Sequence, residues 1–460
     1  MRYLSTRGGV EPVDFAEAVM MGLGTDGGLL VPEHIPQVSA STLRRWADLR
    51  FQDLALEVVM PFVGGTIPRN DLAGLIERAY AGFSHPEVTP VVEAGGRRWL
   101  ELFHGPTAAF KDVALQWLGN LFEYLLAQTG ERLNILGATS GDTGSAAIAG
   151  VRGKERIDIF ILHPKGRVSP VQERQMTTVL DANVHNVAVR GTFDDAQRIV
   201  KALFSDLDFK REYRLGAVNS INWARILAQT VYYFYAWGRI SGGDTAHRVS
   251  FSVPTGNFGD VFAGYLAKRM GLPVDRLIIA TNRNDILTRF VATGEYAAAE
   301  VHHTLSPAMD IQLASNFERY LYFLLDKDPE PVRSLLGQMA DSGRLRVDGA
   351  HHEQVRADFD ARAVTDPETL EQIRTTYDET GGYILCPHTA VGTRAAKDQP
   401  DAVVLATAHP AKFNEAVRAA IGREAPPPPS LQGLLDKETR CAELDADTGS
   451  IADFIRSTLD

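Results

Sequence analysis

One lysine in this sequence stands in a setting that could make its amine reactive. Lys111 follows an apolar segment that stops at Gly105-Pro106, and apolar residues at helical spacing follow it over residues 113–122. This pattern predicts that Lys111 lies where a loop enters an amphipathic helix. Partial burial beside Phe110 would lower the pKa of an ammonium group and free the amine to act as a nucleophile or base. The alternative is an ordinary solvated lysine in a first helical turn.

A glycine-rich loop further along the chain could bind an anion. Residues 137–147 read GATSGDTGSAA, and Thr139, Ser140 and Thr143 lie there between a predicted strand and a predicted helix of small residues. N–H groups at a helix start, with hydroxyl groups beside them, form a cradle for an anion. The alternative is a tight turn that needs glycine for backbone reasons alone. The motif by itself leaves both readings open.

A second glycine loop, PTGNFGD over residues 254–260, has the same strand-loop-helix setting. Gly256 and Gly259 flank Asn257 and Phe258, so the backbone can approach a ligand closely and the helix start can supply N–H donors. The spacing lacks the GxxxxGK[ST] pattern of a nucleotide-binding loop, and no GxGxxG motif follows a strand. A compact phosphate monoester therefore fits this loop better than a triphosphate.

A reactive lysine and two separate anion-binding loops on an α/β scaffold suggest pyridoxal phosphate as the cofactor. In this interpretation Lys111 forms the Schiff base with the cofactor, one loop holds the cofactor phosphate and the other holds the substrate carboxylate. The histidines, including the pairs at residues 302–303 and 351–352, form no HExxH pattern and have no supporting cysteine set. No metal site is predicted.

The framework that must position these residues is predicted to be α/β. A hairpin with its turn at residues 95–96, strands over residues 133–138, 157–164 and 184–189, and helical segments between them follow one another along the chain. Such alternation is typical of a parallel sheet with right-handed crossovers. The pattern does not determine the order of elements over residues 284–380.

Five segments are expected from these patterns. They are a mainly helical N-terminal unit (1–95), a segment of the large domain that carries the lysine (96–132), a small α/β domain (133–215), the large α/β cofactor-binding domain (216–425), and a linker with a C-terminal tail (426–460). The linker assignment rests on the proline run at residues 426–429.

Composition limits the class of protein. The chain has 460 residues, 45% of them hydrophobic and 23% charged, and a net charge of -11, which argues against a nucleic-acid or anionic-membrane partner. It has two cysteines, and no apolar run of about 18 residues, so neither a disulfide framework nor a membrane span is expected. We expect a cytoplasmic enzyme with a small-molecule substrate, as a monomer or a homodimer.

Several stretches together resemble one enzyme family. FHGPTAAFKDVA, ATSGDTGSAA, NSINWARILAQ, VPTGNFGD and ATAHPAKF occur in this order, and YLSTRGG and DGGLLVP precede them. Over most of its length the sequence strongly resembles threonine synthase, in the longer form of that enzyme. The resemblance implies the tryptophan-synthase-β-like fold of pyridoxal-phosphate enzymes, fold type II, with two α/β domains that enclose the cofactor.

The resemblance also implies roles for individual residues. Lys111 would bind the cofactor covalently, residues 256–259 would hold the cofactor phosphate, and Thr407 would face the pyridine nitrogen. Thr139, Ser140, Asp142 and Thr143 would face the substrate carboxylate and the ring hydroxyl. Related loops often read SGNTG, so Asp142 is a departure. Because a carboxylate repels the substrate carboxylate, we expect Asp142 to face the ring or a backbone donor. For Thr407, a buried threonine at a strand end is the alternative.

A site for the substrate phosphate is expected in the segment NSINWARILAQ. Asn219, Ser220, Asn222 and Arg225 lie within about two helical turns there. If the helix begins near Asn222, its N–H groups favour an anion, and the guanidinium of Arg225 suits phosphate oxygens. The alternative is that Ser220 or Asn222 only caps the helix and that Arg225 forms a surface ion pair.

The function implied by the resemblance is conversion of O-phospho-L-homoserine and water to L-threonine and phosphate, the last step of threonine biosynthesis. Two alternatives remain open at this point. One is a pyridoxal-phosphate phospho-lyase on the same scaffold that releases a 2-oxo acid. The other is a non-catalytic phosphoester-binding regulator, which the presence of Lys111 argues against.

Overall fold

The fold was obtained as a computed structural model, which describes residues 1–459. The helices are α1 (Phe15–Met21), α2 (Ala40–Trp46), α3 (Phe51–Val63), α4 (Arg69–Tyr80), α5 (Lys111–Thr129), α6 (Asp142–Val151), α7 (Pro170–Thr177), α8 (Phe193–Ser205), α9 (Leu207–Glu212), α10 (Trp223–Ser241), α11 (Gly259–Arg269), α12 (Ile286–Thr293), α13 (Phe317–Leu324), α14 (Pro329–Ser342), α15 (Gly349–Asp358), α16 (Asp366–Thr380), α17 (Pro387–Ala395), α18 (Asn414–Ile421) and α19 (Thr448–Leu459). The strands are β1 (Tyr3–Ser5), β2 (Leu30–Pro32), β3 (Val91–Ala94), β4 (Arg97–Glu101), β5 (Leu133–Ala138), β6 (Ile157–Pro164), β7 (Val184–Arg190), β8 (Leu215–Gly216), β9 (Val249–Pro254), β10 (Val274–Thr281), β11 (Glu295–Ala297), β12 (Arg344–Arg346), β13 (Phe359–Ala363), β14 (Val403–Ala406) and β15 (Ala442–Asp445).

The chain forms two compact units. The first comprises residues 1–77, 83–104 and 220–426, and the second comprises residues 78–82, 105–219 and the chain from Pro427 onward.

The first unit is built on a six-stranded sheet in the order β13-β10-β9-β14-β4-β3. Five strands are parallel, and β3 joins antiparallel through its hairpin with β4. The central strand β14 is wholly apolar and buried, and its neighbour β9 is buried at all positions but one, as is typical of parallel strands covered on both faces. Ligands of such sheets bind beyond the carboxyl ends of the strands. The PTGNFGD loop after β9 and Thr407 after β14 lie at this edge, following neighbouring strands.

The second unit is built on a fully parallel five-stranded sheet in the order β15-β7-β6-β5-β8. Its core joins apolar residues of the sheet, such as Phe160 and Val187, to Ile199 of α8 and to Ile451 and Ile455 of α19. The GATSGDTGSAA loop leaves the carboxyl end of β5 and leads into α6.

The sequence patterns located the central elements well. The hairpin, β5, β6 and β7 lie where they were expected, and α10 begins at Trp223, next to Asn222, as anticipated. In the N-terminal segment, α2 and α3 are separate helices with residues 47–50 between them. The N-terminal segment is not wholly helical, because β1 and β2 pair antiparallel at its start.

Two boundaries differ from the expected division of the chain. The lysine segment was expected in the large domain, but from Gly105 onward it packs in the second unit with β5 to β8. The C-terminal tail was expected to follow the linker as a separate segment. It instead adds the strand β15 to the second sheet, parallel to β7, before α19 begins. No helix among residues 1–459 is long and apolar enough to cross a membrane.

Candidate active site

Lys111 is the first residue of α5 and is largely buried, with 8% of its surface exposed. Its Nζ lies 4.6 Å from the centre of the Phe110 ring, a cation–π distance. The predicted position of the lysine at a loop–helix junction is therefore correct, and the solvated alternative is not what the structure shows. A buried amine of this kind is restricted to few rotamers and has a defined direction.

The loop before Lys111 is held by the carboxylate of Asp112. The backbone N–H of Thr107 donates to Asp112 at 2.8 Å and its hydroxyl donates at 2.7 Å. A Cβ on Gly105 would lie 2.4 Å from the Asp112 Cβ, so the chain can pass here only as glycine. Gln175 of α7 donates to the Thr107 carbonyl at 2.9 Å. These contacts fix the entry of the chain into α5 and so fix Lys111.

Asp142 faces Lys111. Its Oδ2 lies 3.9 Å from Lys111 Nζ, and its Oδ1 accepts a hydrogen bond of 2.7 Å from Gln172 Nε2. Two of its neighbours are thus an amine and a side-chain amide, and the prediction that it faces the cofactor ring or a backbone donor stays a prediction. Gln172 approaches closely at Gly141, which has φ 140° and where a Cβ would lie 2.6 Å from the Gln172 side chain.

The hydroxyl groups of the same loop are placed differently from one another. Thr139 is buried, and its Oγ1 accepts hydrogen bonds from the N–H groups of Gly141 and Gly144 at 3.0 and 2.9 Å. It therefore braces the turn. Ser140 is exposed and Thr143 is half-buried at the start of α6, so these two side chains are accessible to a ligand.

Two glycines set the distance between α5 and α6. A Cβ on Gly119 would lie 1.9 Å from the carbonyl oxygen of Gly150, and a Cβ on Gly150 would lie 2.5 Å from the carbonyl oxygen of Leu115. Gly119 follows Lys111 by eight residues, and Gly150 follows Asp142 by eight. The two helices therefore touch backbone to backbone about 12 Å beyond the lysine and the aspartate at their starts.

The PTGNFGD loop has the backbone geometry of an anion cradle. Phe258 has a left-handed conformation with φ 68°, after which α11 begins at Gly259 and presents the N–H groups of its first turn. A Cβ on Gly256 would lie 2.9 Å from the Ala308 carbonyl oxygen. The side chain of Asn257 accepts from the Gly259 N–H at 2.9 Å. The loop thus has a single compact conformation.

Asp260 would repel an anion at the start of α11, but its carboxylate is turned towards α10. Tyr232 donates to Asp260 Oδ1 at 2.5 Å, and Tyr233 donates to the same oxygen at 3.0 Å. Burial raises the pKa of both tyrosines well above the ordinary value, so both remain protonated donors. The aspartate therefore ties α11 to α10.

Thr407 follows β14 directly and is buried, with 5% of its surface exposed. Its neighbour His409 accepts a hydrogen bond from the Ala411 N–H through Nδ1. Burial lowers the pKa of His409 to about 4, so its imidazole is neutral near pH 7. Thr407 lies at the sheet edge that the resemblance implies for a contact with the cofactor ring.

The segment expected to bind the substrate phosphate is partly a structural element. Asn222 caps α10: its Oδ1 accepts from the Ala224 N–H at 3.0 Å, and its Nδ2 donates to the Val19 carbonyl at 2.8 Å. Both ends of this side chain are therefore engaged, as in the capping alternative. Asn219 is exposed and Ser220 is half-buried.

Arg225 is buried in α10, with 3% of its surface exposed, and is not a surface ion-pair partner. Burial lowers the pKa of its guanidinium to about 10, and the nearby Tyr232 partly offsets this effect. At neutral pH the side chain is still charged.

Sequence reasoning missed Gln172, Asn316 and Arg319. Gln172 holds Asp142 from 30 positions further along the chain, and Asn316 contacts the PTGNFGD loop from 59 positions beyond Asn257. Neither belongs to a recognisable motif.

Comparisons with known proteins show which enzyme family this chain belongs to. A family model described as pyridoxal-phosphate dependent enzyme matches residues 87–335, more than half of the chain. The protein class that the fold and the site define is therefore that of the pyridoxal-phosphate-dependent enzymes. Two further models, described as the N terminus and the C-terminal part of threonine synthase, match residues 2–80 and 389–455. The chain belongs to the threonine synthase family.

Individual relatives agree with this assignment. Threonine synthase from Pseudomonas aeruginosa is 49% identical over 99% of this chain and 98% of its own length. The crystal structure of pyridoxal-phosphate-bound threonine synthase from Brucella melitensis has a TM-score of 0.97 and 46% identity, covering 100% of this chain and 99% of its own. For threonine synthase from yeast the TM-score is 0.94 and the identity 45%, covering 100% and 98%. The predictions of family, fold group, activity and cofactor are confirmed.

Proposed function

We propose that this chain converts O-phospho-L-homoserine and water to L-threonine and phosphate, with Lys111 as the residue that binds pyridoxal phosphate and moves protons on the substrate. The observation that carries the proposal is the placement of Lys111. It is a buried amine at a helix start, 3.9 Å from the carboxylate of Asp142. When bound, pyridoxal phosphate supplies an electron sink for carbanions next to the substrate amine.

The residues of the PTGNFGD loop fit the cofactor phosphate. Gly256 and Gly259 have no room for a Cβ without displacing a neighbour, so the backbone itself can line the site. In our proposal residues 256–259, including Asn257 and Phe258, surround the phosphate. Because the Gly259 N–H donates to the Asn257 side chain, the N–H groups that follow it in the first turn of α11 donate to the phosphate oxygens. The hydroxyl of Thr407 would donate a hydrogen bond to the pyridine nitrogen, which does not require that nitrogen to be protonated.

The amine of Lys111 serves the proton transfers. With the cofactor bound, the amine of Lys111 would be released when the substrate binds and would then move protons at Cα and Cβ of the substrate, while phosphate would leave from Cγ and water would add at Cβ. Asp142 and Gln172 hold the amine in one direction between these transfers, since Asp142 lies between Lys111 Nζ and Gln172 Nε2. Asp142 is thus proposed as a positioning residue, and not as a ligand of the substrate carboxylate.

The substrate's two acidic groups require separate donors. We assign the substrate carboxylate to Ser140 and Thr143, which are accessible at the start of α6, with Thr139 bracing the turn. We assign the substrate phosphate to Asn219, Ser220 and Arg225. Asn222 contributes by fixing the start of α10. A dianion beside Arg225 would offset the cost of its burial, because opposite charges at close range favour the charged form.

One experiment tests the activity directly. Purified protein with pyridoxal phosphate is incubated with O-phospho-L-homoserine, and phosphate and threonine are assayed in the same samples. Equal amounts of both products are expected. Phosphate with an equal amount of 2-oxo acid would assign the chain to the phospho-lyase alternative, and no release of phosphate would contradict the proposed function. Lys111→Ala serves as the inactive control.

Location and assembly are proposed on composition alone. Two cysteines and a net charge of -11 fit a cytoplasmic protein that does not bind nucleic acid. A monomer or homodimer is expected. Cell fractionation and sedimentation would test the two statements separately.

A further inference from the structure

Arg319 is a fully buried cation whose hydrogen bonds go to neutral oxygens. It lies in α13 with none of its surface exposed. Its guanidinium donates to the Leu30 carbonyl through Nε at 3.2 Å and Nη2 at 3.0 Å, and Nη2 also donates to the Ile221 carbonyl. Nη1 donates to the Asn316 side chain at 2.5 Å. One planar group therefore joins three separate segments of the first unit.

Asn316 carries this connection to the PTGNFGD loop. Its backbone N–H donates to the Asn257 carbonyl at 3.0 Å, and its Nδ2 donates to the same carbonyl at 3.3 Å. Nδ2 also donates to the Ser220 carbonyl at 3.3 Å. Because Arg319 engages the Asn316 Oδ1, the amide has one orientation, with its NH₂ group towards the two loops. Asn316 thus contacts both segments that we assign to phosphate groups.

The same helix holds the loop by packing. Phe258, in its left-handed conformation, contacts Phe317 and Tyr320 of α13 with ring centres 5.7 and 5.9 Å apart. A non-glycine residue at positive φ is uncommon and persists only where its surroundings require it. The strained residue of the loop is therefore fixed by α13 as well.

We propose that Arg319 is a positioning residue for the cofactor phosphate, which it serves by orienting Asn316 and through it the carbonyl of Asn257. The inference rests on the proposed function of the PTGNFGD loop. An anion cradle made of backbone requires its N–H groups to face the anion and its carbonyls to face away. Two donors from Asn316 hold the Asn257 carbonyl away from the cradle, and Arg319 holds those donors in place.

The test compares two ligands that differ only in the phosphate. The apoprotein is titrated with pyridoxal phosphate and with pyridoxal, and the absorbance of the lysine-bound ligand gives a Kd for each. Both ligands react with Lys111, so the ratio of the two Kd values isolates the phosphate site. For both Arg319→Met and Asn316→Ala, we expect the Kd for pyridoxal phosphate to rise at least tenfold and the Kd for pyridoxal to rise less than threefold. Asn316→Ala keeps the test informative if Arg319→Met does not fold.

Arg239 provides the matched control. It also donates to two backbone carbonyls, those of Ala47 and Leu49 at 2.9 and 3.0 Å, and it stacks on Tyr235, but it lies in the last turn of α10. Arg239→Gln should lower stability without changing the ratio of Kd values. The inference would be overturned if the Kd values for both ligands rose equally in the test variants, or if the Kd for pyridoxal phosphate did not change. Wild-type threonine formation is measured separately, so failure of the proposed reaction is distinguishable from failure of this inference.

Discussion

Replacement of Gly119 by alanine tests whether the contact between α5 and α6 positions Lys111, the proposed catalytic lysine. The new Cβ would lie 1.9 Å from the Gly150 carbonyl oxygen, whereas ordinary contacts begin near 3.4 Å. The obstacle is backbone, so no side-chain rotation can relieve it, and the helices must separate locally by about 1.5 Å. Overpacking of this kind costs roughly 1–3 kcal/mol or more. Alanine has a higher helix propensity than glycine, and this difference stabilises the helix by about 1 kcal/mol.

The control is Gly337→Ala in α14. Gly337 is exposed, and a Cβ there meets nothing within 4 Å, so only the helix-propensity gain of about 1 kcal/mol should appear. We therefore expect Gly119→Ala to be less stable than Gly337→Ala by roughly 1–3 kcal/mol. Urea unfolding followed by circular dichroism measures both variants, with the m-value checked for constancy.

Activity gives the second result. Because Lys111 and Asp142 begin the two helices, a separation of α5 from α6 should change the distance between the amine and the carboxylate. We expect a lower kcat for Gly119→Ala at saturating cofactor and an unchanged kcat for Gly337→Ala. If Gly119→Ala is as stable and as active as Gly337→Ala, the backbone contact does not set the position of Lys111, and the reasoning is wrong.

Four further predictions concern single residues. Lys111→Ala should abolish threonine formation with little change in the circular dichroism spectrum, and substantial residual turnover would contradict its role. Gly256→Val should weaken retention of pyridoxal phosphate, because its Cβ would press on the Ala308 carbonyl; full cofactor content with weaker substrate binding would mean that the two loops were exchanged. Arg225→Ala should lower kcat/KM for O-phospho-L-homoserine, with a loss of transition-state stabilisation of roughly 1.5–3 kcal/mol and unchanged cofactor content. Unaltered kinetics at low ionic strength would contradict the assignment of the substrate phosphate to this segment. For His409, the pKa in the folded state is about 4 and the pKa in the unfolded state is 6.5, so the unfolded state binds more protons between these two pH values. The free energy of unfolding should therefore fall as the pH falls from 6.5 to 4, by up to about 3 kcal/mol. In His409→Gln this pH dependence of the free energy of unfolding should be flatter.

Short-range patterns were the part of the structure that the sequence could predict. Strand β5, the loop after it and the position of Lys111 depend on residues within one or two turns of each other, so periodicity and glycine placement were sufficient. Strand β15 was missed because it has four residues, Ala442–Asp445, and two of them are acidic. Its residues alternate between half-buried and exposed. It forms because β7 offers an edge to pair with, which no local pattern reveals.

The connections that orient the site depend on long-range contacts. Arg319 reaches the Leu30 carbonyl across 289 positions of the chain, and Asn316 reaches Asn257 across 59. The capping role of Asn222 was available from the sequence as the alternative interpretation, since an asparagine before a helical pattern is a standard N-cap. The direction in which Asp142 points could not, because it depends on Gln172 and on the absence of a side chain at Gly141.

The discontinuous second unit has a consequence for synthesis on the ribosome. Its sheet is made by residues 105–219, yet β15 and α19 come after the 207 residues at positions 220–426. The end of β15 follows the end of β7 by 255 residues, so at about 5–20 residues per second β7 waits roughly 13–50 s with an unpaired edge. The face later covered by Ile451 and Ile455 is open to water during the same interval. During that interval the nascent chain exposes a strand edge that can pair with other chains. Chaperone demand during translation should therefore be greatest while residues 220–426, the last segment of the first unit, are being made.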